Sequence, residues 1–108
     1  MSYYPIELDK VRNLKYGMRA ISLIEKKYKK PMMKIEGISN GELSMEDYAI
    51  LIWAGLVHED KSLTPDKVMD LIDEYSSLKK VSEAMWNALN EVFADDDAQE
   101  ATVEEKNE

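Results

Sequence analysis

The chain predicts an all-α fold. Three observations carry that expectation: apolar residues recur at spacings of three and four along most of its length, capping signals open two of the apolar stretches, and neither an alternating run of β-branched residues nor a Gly-rich loop is present. About four helices joined by short connections give a compact bundle. With 108 residues there is material for one domain, and that length buries a core without staples. Cysteine is absent, so disulfides and thiolate metal sites are unavailable and nothing argues for an oxidising compartment. The opening MSYYPIELDK lacks the basic and apolar regions of a signal peptide, and a cytoplasmic protein is expected.

Residues 1–8 contain Tyr3, Tyr4, Pro5, Ile6 and Leu8 and read as an extended arm, because proline disfavours helix in the residue before it. The helical domain then spans 9–94. Asp9 is placed to cap a first helix running to about Lys30, with Val11, Leu14, Met18, Ile21, Ile24 and Tyr28 as its apolar stripe. Tyr16 and Leu23 fall on the flank of that stripe, and Arg12, Lys15, Arg19, Ser22 and Lys26 form a polar strip. Pro31 ends the helix. Met32 to Gly41 is short and rich in turn residues, a connector with room for a single helical turn or short strand.

The segment the rest must surround is Ser44 to His58, SMEDYAILIWAGLVH. Ser44 followed by Asp47 is a capping signal, the serine oxygen accepting from free backbone N–H groups of the first turn. Apolar residues occupy both sides of its helical wheel, so it is a buried helix, and its run from Tyr48 to Val57 is far shorter than the roughly 20 residues that span a bilayer. Gly55 costs roughly 1 kcal/mol against alanine within a helix, which makes sense if another helix crosses closely there. Thr64, Pro65 and Asp66 open the next helix, with Val68, Leu71, Ile72 and Tyr75 inward and Asp66, Lys67, Asp70, Asp73 and Glu74 facing water. Ser76 and Ser77 make a break. A last helix from about Leu78 to Ala94 presents Leu78, Val81, Met85, Leu89 and Val92, with Trp86 and Phe93 beside that stripe. Residues 95–108 hold seven acids and one lysine and too little apolar surface to order themselves, so an acidic disordered tail is expected.

Catalytic chemistry has little to stand on. His58 is the one histidine, at a helix end where the dipole favours a cation, and no metal pair or serine–histidine arrangement can be built around it. Two stretches imitate calcium loops. From Glu36, Asn40, Gly41 and Ser44 fall correctly, but Ile38 and Asp47 stand at the third and twelfth positions; from Asp60, Pro65 and Leu71 take the sixth and twelfth. Both lack essential ligands, and no metal or cofactor is expected. Charge is segregated: Lys10 to Lys34 has nine bases and one acid, whereas Ile35 to Ala94 has four bases and twelve acids. The formal charge of −8 opposes a phosphate backbone, so nucleic acid is not an expected partner. The simpler expectation is that the basic strip pairs with acidic helices of the domain, or that the acidic tail folds over it.

The phrases NLKYGMRAISLIE, SMEDYAILIWAGLVHED and LTPDKVMDLIDEY, in that order and closely spaced over about residues 6–93, resemble the small helical tail assembly chaperones of long-tailed bacteriophages and prophages. That resemblance implies a non-enzymatic protein of the host bacterial cytoplasm that binds the tape-measure protein and tail-tube subunits during tail assembly. Genes of such families often also yield a longer product by ribosomal frameshifting near their end, which only the nucleotide sequence reveals. A small helical adaptor is the alternative. Methionines repack easily and suit such a surface. Met18 and Met85 are expected in the core, whereas Met32 and Met33 in the connector, Tyr16 and Leu23 on the first helix, and Trp86 and Phe93 on the last are the candidate partner contacts.

Overall fold

The buried central helix forms where the capping signal placed it. In a computed structural model that describes residues 4–105, with side chains through Phe93, α3 spans Met45–Leu56. Ser44 Oγ accepts from the Asp47 N–H at 3.1 Å, and an Asp47 carboxylate oxygen accepts from the Ser44 N–H at 3.3 Å. Ala49, Leu51, Ile52, Ala54, Gly55 and Leu56 are buried within it. Trp53 is half-buried, its indole N–H donating to the Leu63 carbonyl at 2.9 Å.

The other helices lie around this one. α4 spans Pro65–Tyr75 and opens with Thr64 Oγ1 accepting from the Lys67 N–H at 3.1 Å. It buries Val68 and Ile72 and leaves its charged side in water as the sequence implies, but Tyr75 is 49% exposed rather than inward. α5 spans Leu78–Glu105, with Val81, Met85, Ala88 and Leu89 buried. Its backbone is therefore helical beyond Ala94; the packing of the acidic segment 95–108 lies outside the described side chains. The connector contains a 3-10 turn at Met32–Lys34 and a short α2 at Glu36–Asn40, closed by Gly41 at φ 78°.

The N-terminal third corrects the all-α expectation. Tyr4–Glu7 and Val11–Leu14 form an antiparallel hairpin, β1 and β2, pairing Tyr4 with Leu14 and Glu7 with Val11. The first helix, α1, begins only at Met18 and ends at Tyr28. The molecule is thus mostly helical with one small sheet. Pro5 is tolerated because a two-stranded sheet consists of edges. Asp9, rather than capping a helix, sits in the hairpin loop, where its carboxylate accepts from Arg12 Nε at 2.9 Å and from a second Arg12 nitrogen at 3.0 Å. Arg12 is not part of an exposed strip: it is 4% exposed, on the inward face of β2 with Leu14, while Val11 points outward at 57%.

β2 and the residues after it are what cross α3 at Gly55. A Cβ built there would stand 2.8 Å from the Tyr16 ring and 2.9 Å from the Leu14 side chain, and the Lys15 N–H donates to the Gly55 carbonyl at 3.0 Å. The close approach inferred from the glycine exists. It is made by extended chain, not by a helix.

Candidate partner-binding groove

The start and the end of α1 together shape the main apolar concavity. Gly17 precedes the helix, so Met18 occupies its first turn and is 91% exposed, not in the core as its place on the apparent stripe suggested. Ala20 and Ile24 face inward, leaving Ile21 and Ser22 half-buried on the shoulder. At the other end Lys29 adopts a left-handed conformation at φ 57°, costing roughly 1–2 kcal/mol for a residue with a Cβ, and Pro31 prevents the helix from resuming. The chain reverses there. Glu25 pins the reversal, its carboxylate accepting from the Met32 N–H at 2.9 Å.

That reversal carries Met32 and Met33 back beside Ile21 and towards Val92 and Phe93 of α5. The result is an open groove of about 620 Å³. Tyr16 and Met32 contribute to its floor, being 1% and 6% exposed; Ile21 is on one wall, Val92 and Phe93 on the other, and Met18 and Met33 form the lips, Met33 being 62% exposed. Four of the six sequence candidates, Tyr16, Met32, Met33 and Phe93, thus converge on one groove. Tyr16 is nevertheless a core residue and not a surface contact: its hydroxyl donates to the Leu51 carbonyl at 2.7 Å, and burial holds the phenol well above its ordinary range. The other two lie elsewhere. Leu23 is half-buried against the core, and Trp86 borders a shallow depression with Ser82, Glu83 and Asn87, its N–H 3.5 Å from the Tyr48 hydroxyl.

Sequence reasoning missed Met18, Ile21 and Val92 as groove residues. Gly17 was the signal available, since a helix starting after it leaves Met18 exposed in the first turn. A smaller apolar depression of about 220 Å³ lies between α3 and α4, lined by Met45, Tyr48, Ala49, Met69, Ile72, Asp73 and Leu78.

The groove has a basic border. A second depression, lined by Lys26, Lys29, Lys30 and Pro31, shares Ser22 and Glu25 with it. Arg19, Lys26, Lys27, Lys29, Lys30 and Lys34 are all exposed. Arg12 forms ion pairs with Asp9 at 2.9 Å and with Asp60 at 3.4 Å. Arg12–Asp60 joins the basic stretch to a loop acid rather than to an acidic helix, and the lysines of α1 and the following turn do not take part in it.

The carboxylates near the hairpin are structural acceptors. Arg12 holds Asp9 below its ordinary range, and Ser62 first, then Arg12, does the same for Asp60. Burial would raise Glu59, but its two bonds from Asn13, at 3.1 and 3.0 Å, outweigh that and lower it. His58 Nε2 lies 2.8 Å from the Asn13 carbonyl, joining the end of α3 to β2. These shifts are opposite to what a general acid at neutral pH needs. Among the described residues no group of three or more His, Cys, Asp or Glu is placed to hold a metal ion, and no helix is long and apolar enough to cross a membrane.

No protein-family model, curated protein or solved structure matches this chain.

Proposed function

We propose that this protein is a non-enzymatic tail assembly chaperone of a long-tailed phage or prophage, acting in the host bacterial cytoplasm. Its groove would hold an apolar helical stripe of the tape-measure protein while tail-tube subunits assemble. The observation that carries this reading is the apolar groove whose lips are the exposed Met18 and Met33 and whose wall is Phe93. Helix-in-groove recognition needs an apolar trough a few residues long with adaptable side chains around it, and thioethers supply that adaptability. The order of the sequence phrases that resemble the chaperone family supports the choice of partner, and the structural commitment of Asp9, Glu59 and Asp60 supports a role without catalysis.

The test is co-expression with the tape-measure and tail-tube proteins encoded beside this gene, followed by capture through this chain. Fully burying a methionine contributes roughly 1.5–3 kcal/mol, so Met33→Glu should reduce tape-measure recovery by about tenfold while circular dichroism stays unchanged. Failure to retain either tail protein, with the domain folded, would refute the chaperone reading and favour a helical adaptor using the same groove.

A further inference from the structure

We propose that the helix this groove accepts is acidic along its flanks: an amphipathic segment whose apolar stripe lies on Met18, Ile21, Met33 and Phe93 and whose carboxylates meet Lys26, Lys29 and Lys30. The proposal rests on the reading of the groove as a helix-binding site and adds the charge of the occupant. The apolar trough and the lysine-lined depression adjoin, both lined by Ser22 and Glu25, so a helix seated in the first passes beside the second. Among the described residues the carboxylate on that shared edge is Glu25, which is already engaged by the Met32 N–H at 2.9 Å. The lysines form none of the ion pairs recorded among the described residues, and all three are exposed. Lys26 also lies in the last turn of α1, and Lys29 and Lys30 follow it directly. Exposed C-terminal carbonyls there would repel a carboxylate by themselves, and the ammonium groups reverse that local sign. A helix with basic flanks would meet like charge along the whole edge, which is how such a groove rejects the wrong partner as well as holding the right one.

The experiment uses the full chain and two labelled synthetic helices with the same apolar stripe, one carrying glutamates and the other lysines at the flanking positions. Binding is read by fluorescence anisotropy at about 20 and 300 mM salt, a range over which screening between exposed charges grows strongly. The acidic helix should bind at least tenfold more tightly than the basic one, and its advantage should shrink at high salt. Lys26→Glu with Lys30→Glu should erase the preference, whereas Lys61→Glu with Lys79→Glu, on other surfaces, should leave it intact. Met33→Glu should weaken both helices. Equal binding of the two helices, or a preference untouched by the Lys26 and Lys30 reversal, overturns the proposal. So does a change in the Met18 and Met33 methyl signals on deleting residues 95–108, which would make the chain's own acidic segment the occupant, or a concentration-dependent dimer abolished by Met33→Glu, which would make it a second copy. The two readings fail separately: capture of tail proteins without charge preference sinks only this inference, and charge preference without capture sinks only the chaperone.

Discussion

At Gly55 a single hydrogen decides whether the hairpin can lie on the central helix. Replacing it with alanine would gain helix propensity of roughly 1 kcal/mol, but the new methyl would meet the Tyr16 ring at 2.8 Å and Leu14 at 2.9 Å, both fully buried. Neither neighbour has space to withdraw, because Tyr16 is tied to the Leu51 carbonyl at 2.7 Å. Overpacking of this kind costs typically 1–3 kcal/mol. Gly55→Ala should therefore lower stability by a net of about 1 kcal/mol in urea denaturation, against the gain that helix propensity alone predicts. A midpoint equal to or above that of the parent would mean that the hairpin does not press on α3 as described. The same residue shows how far the sequence could be read: a glycine amid Leu51, Ile52, Trp53 and Leu56 announced a close approach, but nothing local to it could say that a strand makes it.

Elements with their own local signals were the legible ones. α3 and α4 carry side-chain caps, Ser44 with Asp47 and Thr64 with Pro65, and each begins where its cap stands. The hairpin carried a misleading signal. Val11, Leu14 and Met18 are spaced as in a helix, but β2 turns Arg12 and Leu14 inward and Val11 outward, so an arginine occupies a core position and masks the alternation. What makes Arg12 tolerable there is first a local partner, Asp9 three positions back at 2.9 and 3.0 Å, and then a long-range one at 3.4 Å, Asp60 from the loop before α4, forty-eight positions away. The hairpin's attachment should accordingly be acid-sensitive. Asp9, Glu59 and Asp60 have folded pKa values below their ordinary ones, so the stability they contribute is present above about pH 4 and is lost as pH falls through the depressed values. Urea midpoints measured from pH 6 down to pH 2 should drop most steeply below about pH 4. Asp9→Asn should be less stable at neutral pH and show a shallower acid drop; an unchanged drop would place the acid-sensitive contacts elsewhere.

Over the whole molecule, charge and apolar surface are distributed together. The exposed Lys26, Lys29 and Lys30 gather at the end of α1 and the turn beyond it, next to the larger groove, while Asp73 lines the smaller one between α3 and α4. This arrangement was half visible in the sequence, where the basic and acidic stretches separate cleanly. The groove itself was not visible, because it requires Lys29 to turn left-handed and Glu25 to catch the Met32 N–H before Met33 can face Phe93. Six methionines among the described residues, distributed over both depressions and the core, provide built-in reporters of where a partner lies. The most direct measurement is a methyl spectrum of the methionine-labelled chain, assigned by single substitutions, with and without the tape-measure protein. Binding in the proposed groove predicts that Met18, Met32 and Met33 shift and broaden while Met45, Met69 and the buried Met85 stay in place. Shifts confined to Met45 and Met69, or none at all under conditions where the partner co-purifies, would contradict it.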